Sequence, residues 1–79
     1  MEVFPLTELP IGQSARIMQL LSTAGSRRRM LDLGLVVSSV VEAVRKSPAG
    51  DPTAYRVRGA VIALRREEAA QILVRREPS

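Results

Sequence analysis

The sequence predicts a mainly β protein, a small closed β-barrel of about five short strands with one short inserted helix. Several segments alternate apolar and polar residues with a period of two, which is typical of strands that bury one face. Glycine and proline cluster between those segments, as they do at the turns that join short strands. The chain has 79 residues, which is enough for one domain, and we expect a single domain over residues 1–79.

The first predicted strand follows a turn near the start of the chain. Residues 5–12 contain two prolines and a glycine, and they predict a lead-in turn. Residues 13–21 then alternate, with Ala15 and Ile17 on one face and Arg16 on the other. This alternation predicts a strand with one face buried in the core.

A short helix is predicted over residues 27–33. Ser26 is a favourable N-cap residue, and Gly34 suits the position just after a helix end. The run Arg27-Arg28-Arg29 would then occupy the first turn, where the helix macrodipole disfavours each cation by roughly 0.3–1 kcal/mol. Helix stability therefore does not explain the run, whereas a partner or a carboxylate elsewhere in the fold would. Asp32 lies at contact spacing from the last two arginines and is one such carboxylate.

The second half of the chain predicts the other strands. Residues 36–45 are rich in β-branched side chains and predict the second strand. Residues 47–52 predict a loop, because two prolines flank a Gly-Asp pair. Residues 53–65 predict a hairpin that turns at Gly59-Ala60. The last predicted elements are a helical turn over residues 66–71 and a strand over residues 72–74.

Elements of this number and length fit an SH3-like β-barrel, in which closure removes exposed strand edges. The inward faces of the strands and one face of the helix predict a single core. The residues expected to share that core are Ala15, Ile17, Leu31, Val41, Tyr55, Val57, Leu64 and Ile72.

The composition excludes several classes of function. The chain has no cysteine and no histidine, which removes disulfides, Ser-His and Cys-His nucleophiles, and metal sites built on thiolate or imidazole. The carboxylates are scattered without metal-ligand spacing, so we expect no tight transition-metal site and no cofactor. We therefore predict that the protein is not an enzyme and has no small-molecule substrate. No secretion signal or membrane-spanning run is evident, so a cytoplasmic protein is expected.

The net charge is +4, and eleven of the twelve basic residues are arginine. Arginine suits planar, bidentate contacts with carboxylate or phosphate groups. The arginines outside residues 27–29 are also explained by solvation of the surface alone. Nucleic-acid binding stays open as an alternative, although only Phe4 and Tyr55 could supply the aromatic stacking that single-strand binding usually needs.

Four collinear segments resemble the ferrous iron transport protein A (FeoA) family of bacteria. They are Leu6-Thr7-Glu8-Leu9 with Gly12; the block from Arg27 to Leu35; Pro48 with Gly50-Asp51-Pro52; and Val57-Arg58-Gly59 followed by Ala63-Leu64-Arg65 and Glu68-Ala69. Each segment is a weak signal alone, but their order and spacing span nearly the whole chain. The resemblance implies an SH3-like barrel with an inserted helix.

The resemblance also implies a function. Members of the family are small cytosolic accessory proteins of ferrous iron uptake, and their partner is a membrane ferrous iron transporter with a cytoplasmic GTPase region. On this basis the candidate partner-binding residues are Arg27, Arg28, Arg29 and Asp32. An ion pair between Asp32 and one arginine, within the fold, is the competing explanation for these side chains. The residues expected at structural turns are Gly34, Gly50, Asp51, Pro52 and Gly59.

A second implication of the resemblance stays open. Some iron-dependent repressors end in a related SH3-like barrel, and this chain could be a stand-alone module of that kind that binds protein or metal in a larger assembly. It is too short to include the DNA-binding helical domain of those repressors. A homo-oligomer is also compatible with the sequence.

Overall fold

The computed structural model describes residues 2–77, which form one antiparallel sheet with two helices. The predicted domain also includes Met1, Pro78 and Ser79, which lie outside the described residues. The strands are β1 (Phe4–Pro5), β2 (Ser14–Leu20), β3 (Val40–Lys46), β4 (Thr53–Val57), β5 (Ala60–Leu64) and β6 (Ile72–Arg76). The helices are α1 (Ala24–Asp32) and α2 (Arg66–Ala69), and a 3-10 turn covers Leu6–Glu8. The mainly β prediction is confirmed.

The six strands follow the order β1-β6-β2-β3-β4-β5 in the sheet. The sequence predicted about five strands in a closed barrel. The additional strand is β1, a two-residue segment in the predicted lead-in turn, which pairs Phe4 with Val74 of β6. Two residues are too few to show an alternating pattern, which is why the sequence did not reveal this strand. Within residues 2–77 the hydrogen-bonded ladder does not close, because β1 and β5 are its two ends.

Strand β2 is the central element of the sheet. It pairs with β3 on one side and with β6 on the other. Its inward residues Ala15 and Ile17 are fully buried, as the alternation predicted. The register with β6 shifts between Ile17 and Gln19, and a bulge of this kind bends a strand and increases its twist.

Helix α1 begins earlier than the sequence predicted. Thr23, not Ser26, precedes its first residue, and the N–H of Arg27 donates to the Thr23 carbonyl oxygen at 2.7 Å. The arginine run therefore lies in the middle and the last turn of the helix, so the predicted macrodipole penalty on the first turn is wrong. Arg29 is in the last turn, where a cation is favourable. The end was predicted within one residue, since α1 ends at Asp32 and Gly34 lies just beyond it with φ +90°.

The β4–β5 hairpin turns one residue earlier than predicted. Arg58 and Gly59 form its two-residue loop, with φ values of 52° and 83°. Positive φ at both positions is the signature of a type I′ turn, whose twist matches that of the flanking strands. Ala60 consequently belongs to β5.

The buried residues form one cluster, and seven of the eight predicted core residues belong to it. The exception is Leu31, which is 45% exposed, whereas its neighbour Met30 is 1% exposed. Adjacent residues of a helix point about 100° apart, so only one of the two can face the core. Met30 and Leu31 are both apolar, and no local pattern in the sequence indicates which of them faces the core.

Candidate functional site

The three arginines of α1 lie in three different environments. Arg27 donates from Nη2 to the carbonyl oxygen of Leu20, at the end of β2, over 2.9 Å. Arg29 forms an ion pair with Glu68 of α2. Arg28 is exposed, and no hydrogen bond or ion pair joins it to another residue within 2–77. The run therefore combines two side chains that have partners in the fold with one, Arg28, that has none among residues 2–77.

Asp32 does not form the ion pair that the sequence offered as an alternative. It is exposed, and none of the three ion pairs among residues 2–77 includes it. The carboxylate that meets the run is Glu68, 39 residues beyond Arg29 along the chain. Arg28 and Asp32 are therefore the two candidate site residues whose charges are not neutralised within the described part of the fold.

Glu68 links the two helices. Besides its pair with Arg29, its Oε1 accepts a hydrogen bond from the backbone N–H of Arg65 at 3.0 Å, just before α2. Asp51 acts in a similar way, since its Oδ1 accepts from the N–H of Arg66 at 2.9 Å. These carboxylates fix the start of α2 to α1 and to the β3–β4 loop. Sequence reasoning named Glu68 only within a family segment and not as a partner of the arginines, although a glutamate three residues after the N-cap position Arg65 was a usable signal.

An apolar groove lies beside the arginine run. We call it the α1 groove; it has a volume of about 420 Å³ and is lined by Met18, Gln19, Leu20, Arg27, Leu31 and Val37. Two of its apolar residues are exposed to solvent, Leu31 at 45% and Val37 at 54%. Apolar surface bordered by charged groups is typical of protein interaction sites. The sequence did not reveal this groove, because Leu31 was expected in the core.

The five residues expected at structural turns lie in the connections between helices and strands. Gly34, Gly50 and Gly59 have φ values of +90°, +89° and +83°, a region that glycine adopts without steric cost. At Gly34 a Cβ would also lie 3.2 Å from Cδ of Arg58, which crosses this turn. The Asp51-Pro52 peptide bond is cis, within the β3–β4 loop.

Two further ion pairs stabilise the sheet surface. Arg16 of β2 forms a two-pronged pair with Glu77, over 3.2 Å from Nε and 2.7 Å from Nη2. The hydrogen bonds from Arg16 lower the pKa of the Glu77 carboxyl, and Glu77 raises the pKa of the Arg16 guanidinium. Arg56 and Glu42 face each other across β4 and β3 at 2.9 Å. These residues belong to the sheet and not to the α1 surface.

Residues 2–77 contain no group of three carboxylate, imidazole or thiolate side chains arranged to hold a metal ion. Over the same residues, neither helix has the length and apolar character that a membrane span requires.

Comparison with known proteins identifies the family. A model of the FeoA domain matches residues 4–76. A Porphyromonas gingivalis protein described as a fusion of Fe(2+) transport protein A and the Fe(2+) transporter FeoB is 36% identical over 69 residues. That match covers 87% of this chain, which in turn spans 8% of the length of the fusion protein.

Solved structures show the same fold. A FeoA-like protein from Clostridium acetobutylicum superposes with a TM-score of 0.90 at 30% identity, covering 100% of this chain and 92% of the other. A zinc-bound FeoA from Stenotrophomonas maltophilia, described as an SH3 domain protein, has a TM-score of 0.79 at 32% identity, with 90% and 88% covered. The predicted SH3-like fold is thereby confirmed.

The likeness to repressors concerns the fold alone. A manganese-dependent transcriptional repressor superposes with a TM-score of 0.83 but is only 16% identical, and the match covers 95% of this chain and 42% of the repressor. The family match over residues 4–76 is of another kind, since it extends over nearly the whole sequence and agrees with relatives above 30% identity. The chain belongs to the FeoA family, which is linked to ferrous iron transport.

Proposed function

We propose that this protein is a cytoplasmic accessory protein of ferrous iron uptake, which contacts the cytoplasmic GTPase region of a membrane ferrous iron transporter. The observation that carries the proposal is the Porphyromonas gingivalis relative, whose description joins an A component and the FeoB transporter in one chain. Fusion keeps two units at a high effective concentration, which is useful when they act on each other.

The proposed contact surface is the exposed side of α1 together with the α1 groove. Arg28 and Asp32 supply one positive and one negative charge without partners among residues 2–77. Arg27 uses one of its donors on Leu20 and lines the groove, and its other donors remain available to a partner. Arg29 is 53% exposed at its side chain and is held in place by Glu68. The proposed surface includes all four residues predicted from the sequence. We expect Arg28 and Asp32 to contribute more to the binding energy than Arg27 and Arg29, which already have partners in the fold.

Apolar burial supplies affinity at such a surface, and the charges supply orientation. Leu31 and Val37 together offer an apolar patch that a partner side chain can cover. A carboxylate of the partner can accept two parallel hydrogen bonds from the Arg28 guanidinium. The role is one of contact and not of catalysis, because the chain lacks the histidine and cysteine on which nucleophile–base pairs usually depend.

The experiment measures binding of purified variants to the purified cytoplasmic region of the transporter from the same organism. Leu31→Ala and Arg28→Ala should each weaken binding by about tenfold, within the range of residues that matter at interfaces. Val61→Ala is the matched control, since Val61 is 50% exposed on β5 and does not line the α1 groove. All three variants should melt within a few degrees of the parent, since surface substitutions cost only about 0.5 kcal/mol.

Two outcomes would contradict the proposal. One is binding that Leu31→Ala and Arg28→Ala weaken no more than Val61→Ala does. The other is the absence of any saturable binding by the parent protein at low salt, where contacts between exposed charges are strongest.

A further inference from the structure

A second concavity lies on a different part of the molecule. We call it the loop pocket; it has a volume of about 360 Å³, where the β3–β4 loop meets the start of α2 and the 3-10 turn. It shares no residue with the α1 groove. Its volume lies within the ordinary range of small-molecule sites.

The wall of the loop pocket is partly apolar. Leu9, Leu64 and Ala69 line it and are 5%, 1% and 1% exposed, so only a small part of each core side chain reaches the cavity. Most of the lining is polar, and a small apolar body on a ligand can cover the apolar remainder and remove it from water.

The charged side chains of the pocket are two cations and one carboxylate. Lys46 ends β3 and Arg66 begins α2, and both are exposed lining residues. Neither belongs to any of the three ion pairs among residues 2–77. Asp51 also lines the pocket, and its Oδ1 is engaged by the backbone N–H of Arg66. The charged lining therefore sums to one net positive charge.

Tyr55 also lines the loop pocket. The residue is 3% exposed, and its burial is the main reason that the pKa of the phenol is raised. A hydrogen bond with the Thr53 side chain lowers the pKa in part, and the nearby Asp51 charge raises it further. The hydroxyl therefore stays protonated across the physiological range and keeps its capacity to donate a hydrogen bond.

We propose that the loop pocket binds a ligand with a single carboxylate on an apolar body. One net positive charge matches a monoanion, and the planar guanidinium of Arg66 matches the two oxygens of a carboxylate. A phosphate dianion is a poorer match, because Asp51 repels its second charge. Both a free aliphatic acid and the C-terminal residue of a peptide have this chemistry. The inference goes beyond the proposed transporter contact, which uses the α1 surface.

The test is a titration of the ¹⁵N-labelled protein followed by amide chemical shifts. N-acetyl-leucine should perturb Lys46, Gly50, Asp51 and Tyr55 in a saturable way. N-acetyl-leucinamide has the same body without the carboxylate, and acetate has the carboxylate without the body, so both should bind at least tenfold more weakly. N-acetyl-Gly-Gly-Leu distinguishes the two sources, since a peptide site should bind it more tightly than N-acetyl-leucine.

Charge variants test the lining directly. Lys46→Gln and Arg66→Gln should each weaken N-acetyl-leucine binding about two- to fivefold, the size expected for exposed ion pairs. Arg76→Gln removes an exposed cation outside the pocket and should leave binding unchanged. Asp51→Asn keeps an acceptor for the Arg66 N–H while removing the negative charge, so it should strengthen binding. Thermal melts of each variant establish that it is folded.

Three results would overturn the proposal. Equal affinities for N-acetyl-leucine and N-acetyl-leucinamide would show that the pocket binds the apolar body and does not recognise the carboxylate. Tighter binding of inorganic phosphate would show a general anion site. Shifts spread over all exposed arginines, with equal losses in Arg76→Gln and Arg66→Gln, would show only nonspecific attraction to a basic protein.

Discussion

Truncation of Met30 tests how α1 is attached to the barrel. Met30 is 1% exposed and is the only residue of α1 that is fully buried. Met30→Ala removes the side chain that anchors the helix and leaves a cavity, so we expect a loss of about 2–5 kcal/mol in the free energy of unfolding. Leu31→Ala is the matched control, because Leu31 is adjacent but 45% exposed, and it should cost less than about 1 kcal/mol.

The assay is urea unfolding followed by circular dichroism. Small domains have total stabilities of about 5–15 kcal/mol, so the loss at Met30 should shift the midpoint clearly while the dependence on urea stays the same. A loss below about 1 kcal/mol for Met30→Ala, or a larger loss for Leu31→Ala, would refute the reasoning. Either result would mean that α1 packs on the barrel through a different face.

Two further predictions concern the sheet and the end of α1. Arg16 lowers the pKa of Glu77, so their pair stabilises the fold above the ordinary glutamate pKa of about 4.3, and this contribution is lost as the pH falls through the lowered value. In urea unfolding at stepped pH, the difference between the parent and Glu77→Gln should be constant above about pH 5 and shrink in more acidic solution; a difference that grows on acidification would contradict this assignment. Gly34→Ala should cost about 1–2 kcal/mol because φ is +90° there, whereas Gly25→Ala, inside α1 with no atom within 4 Å of the added Cβ, should be neutral or stabilising. Thermal melts of the two alanine variants check this pair, and equal losses would show that the backbone conformation at Gly34 is not the cause.

The parts of the fold that the sequence predicted well have repeating patterns. Alternation predicted β2 within one residue at each end, and it identified Val41, Tyr55 and Val57 as buried. Gly34 was expected just after the helix, because a glycine there is a local signal with a steric cause, and its φ is +90°. These features depend on neighbours in the chain, which is why one sequence was enough.

The parts that the sequence did not predict depend on distant contacts. The choice of Met30 over Leu31 for the core is made by the position of α1 on the barrel, and no local pattern determines it. The start of α1 was placed too late, because Ser26 is a good cap by composition although Thr23 is the residue that precedes the helix. The partner of Arg29 is Glu68, 39 residues away, whereas the sequence directed attention to Asp32, three residues away.

The differences between the predicted and the observed α1 change the character of the candidate site from charged to partly apolar. The sequence predicted a charged surface of four residues, and the structure adds the α1 groove with Leu31 and Val37 to it. It also divides the arginines by role, since Arg27 and Arg29 have partners in the fold and Arg28 has none within residues 2–77. The proposed interface is accordingly more apolar than the sequence suggested.

The most direct measurement for the proposed contact is a map of the surface that the transporter covers. Amide spectra of the ¹⁵N-labelled protein would be recorded with increasing amounts of the unlabelled cytoplasmic region of the transporter. We predict saturable changes at residues 27–32 and at Val37, which weaken as salt is raised. Changes centred on β5 or on the loop pocket, or no changes at all, would contradict the account.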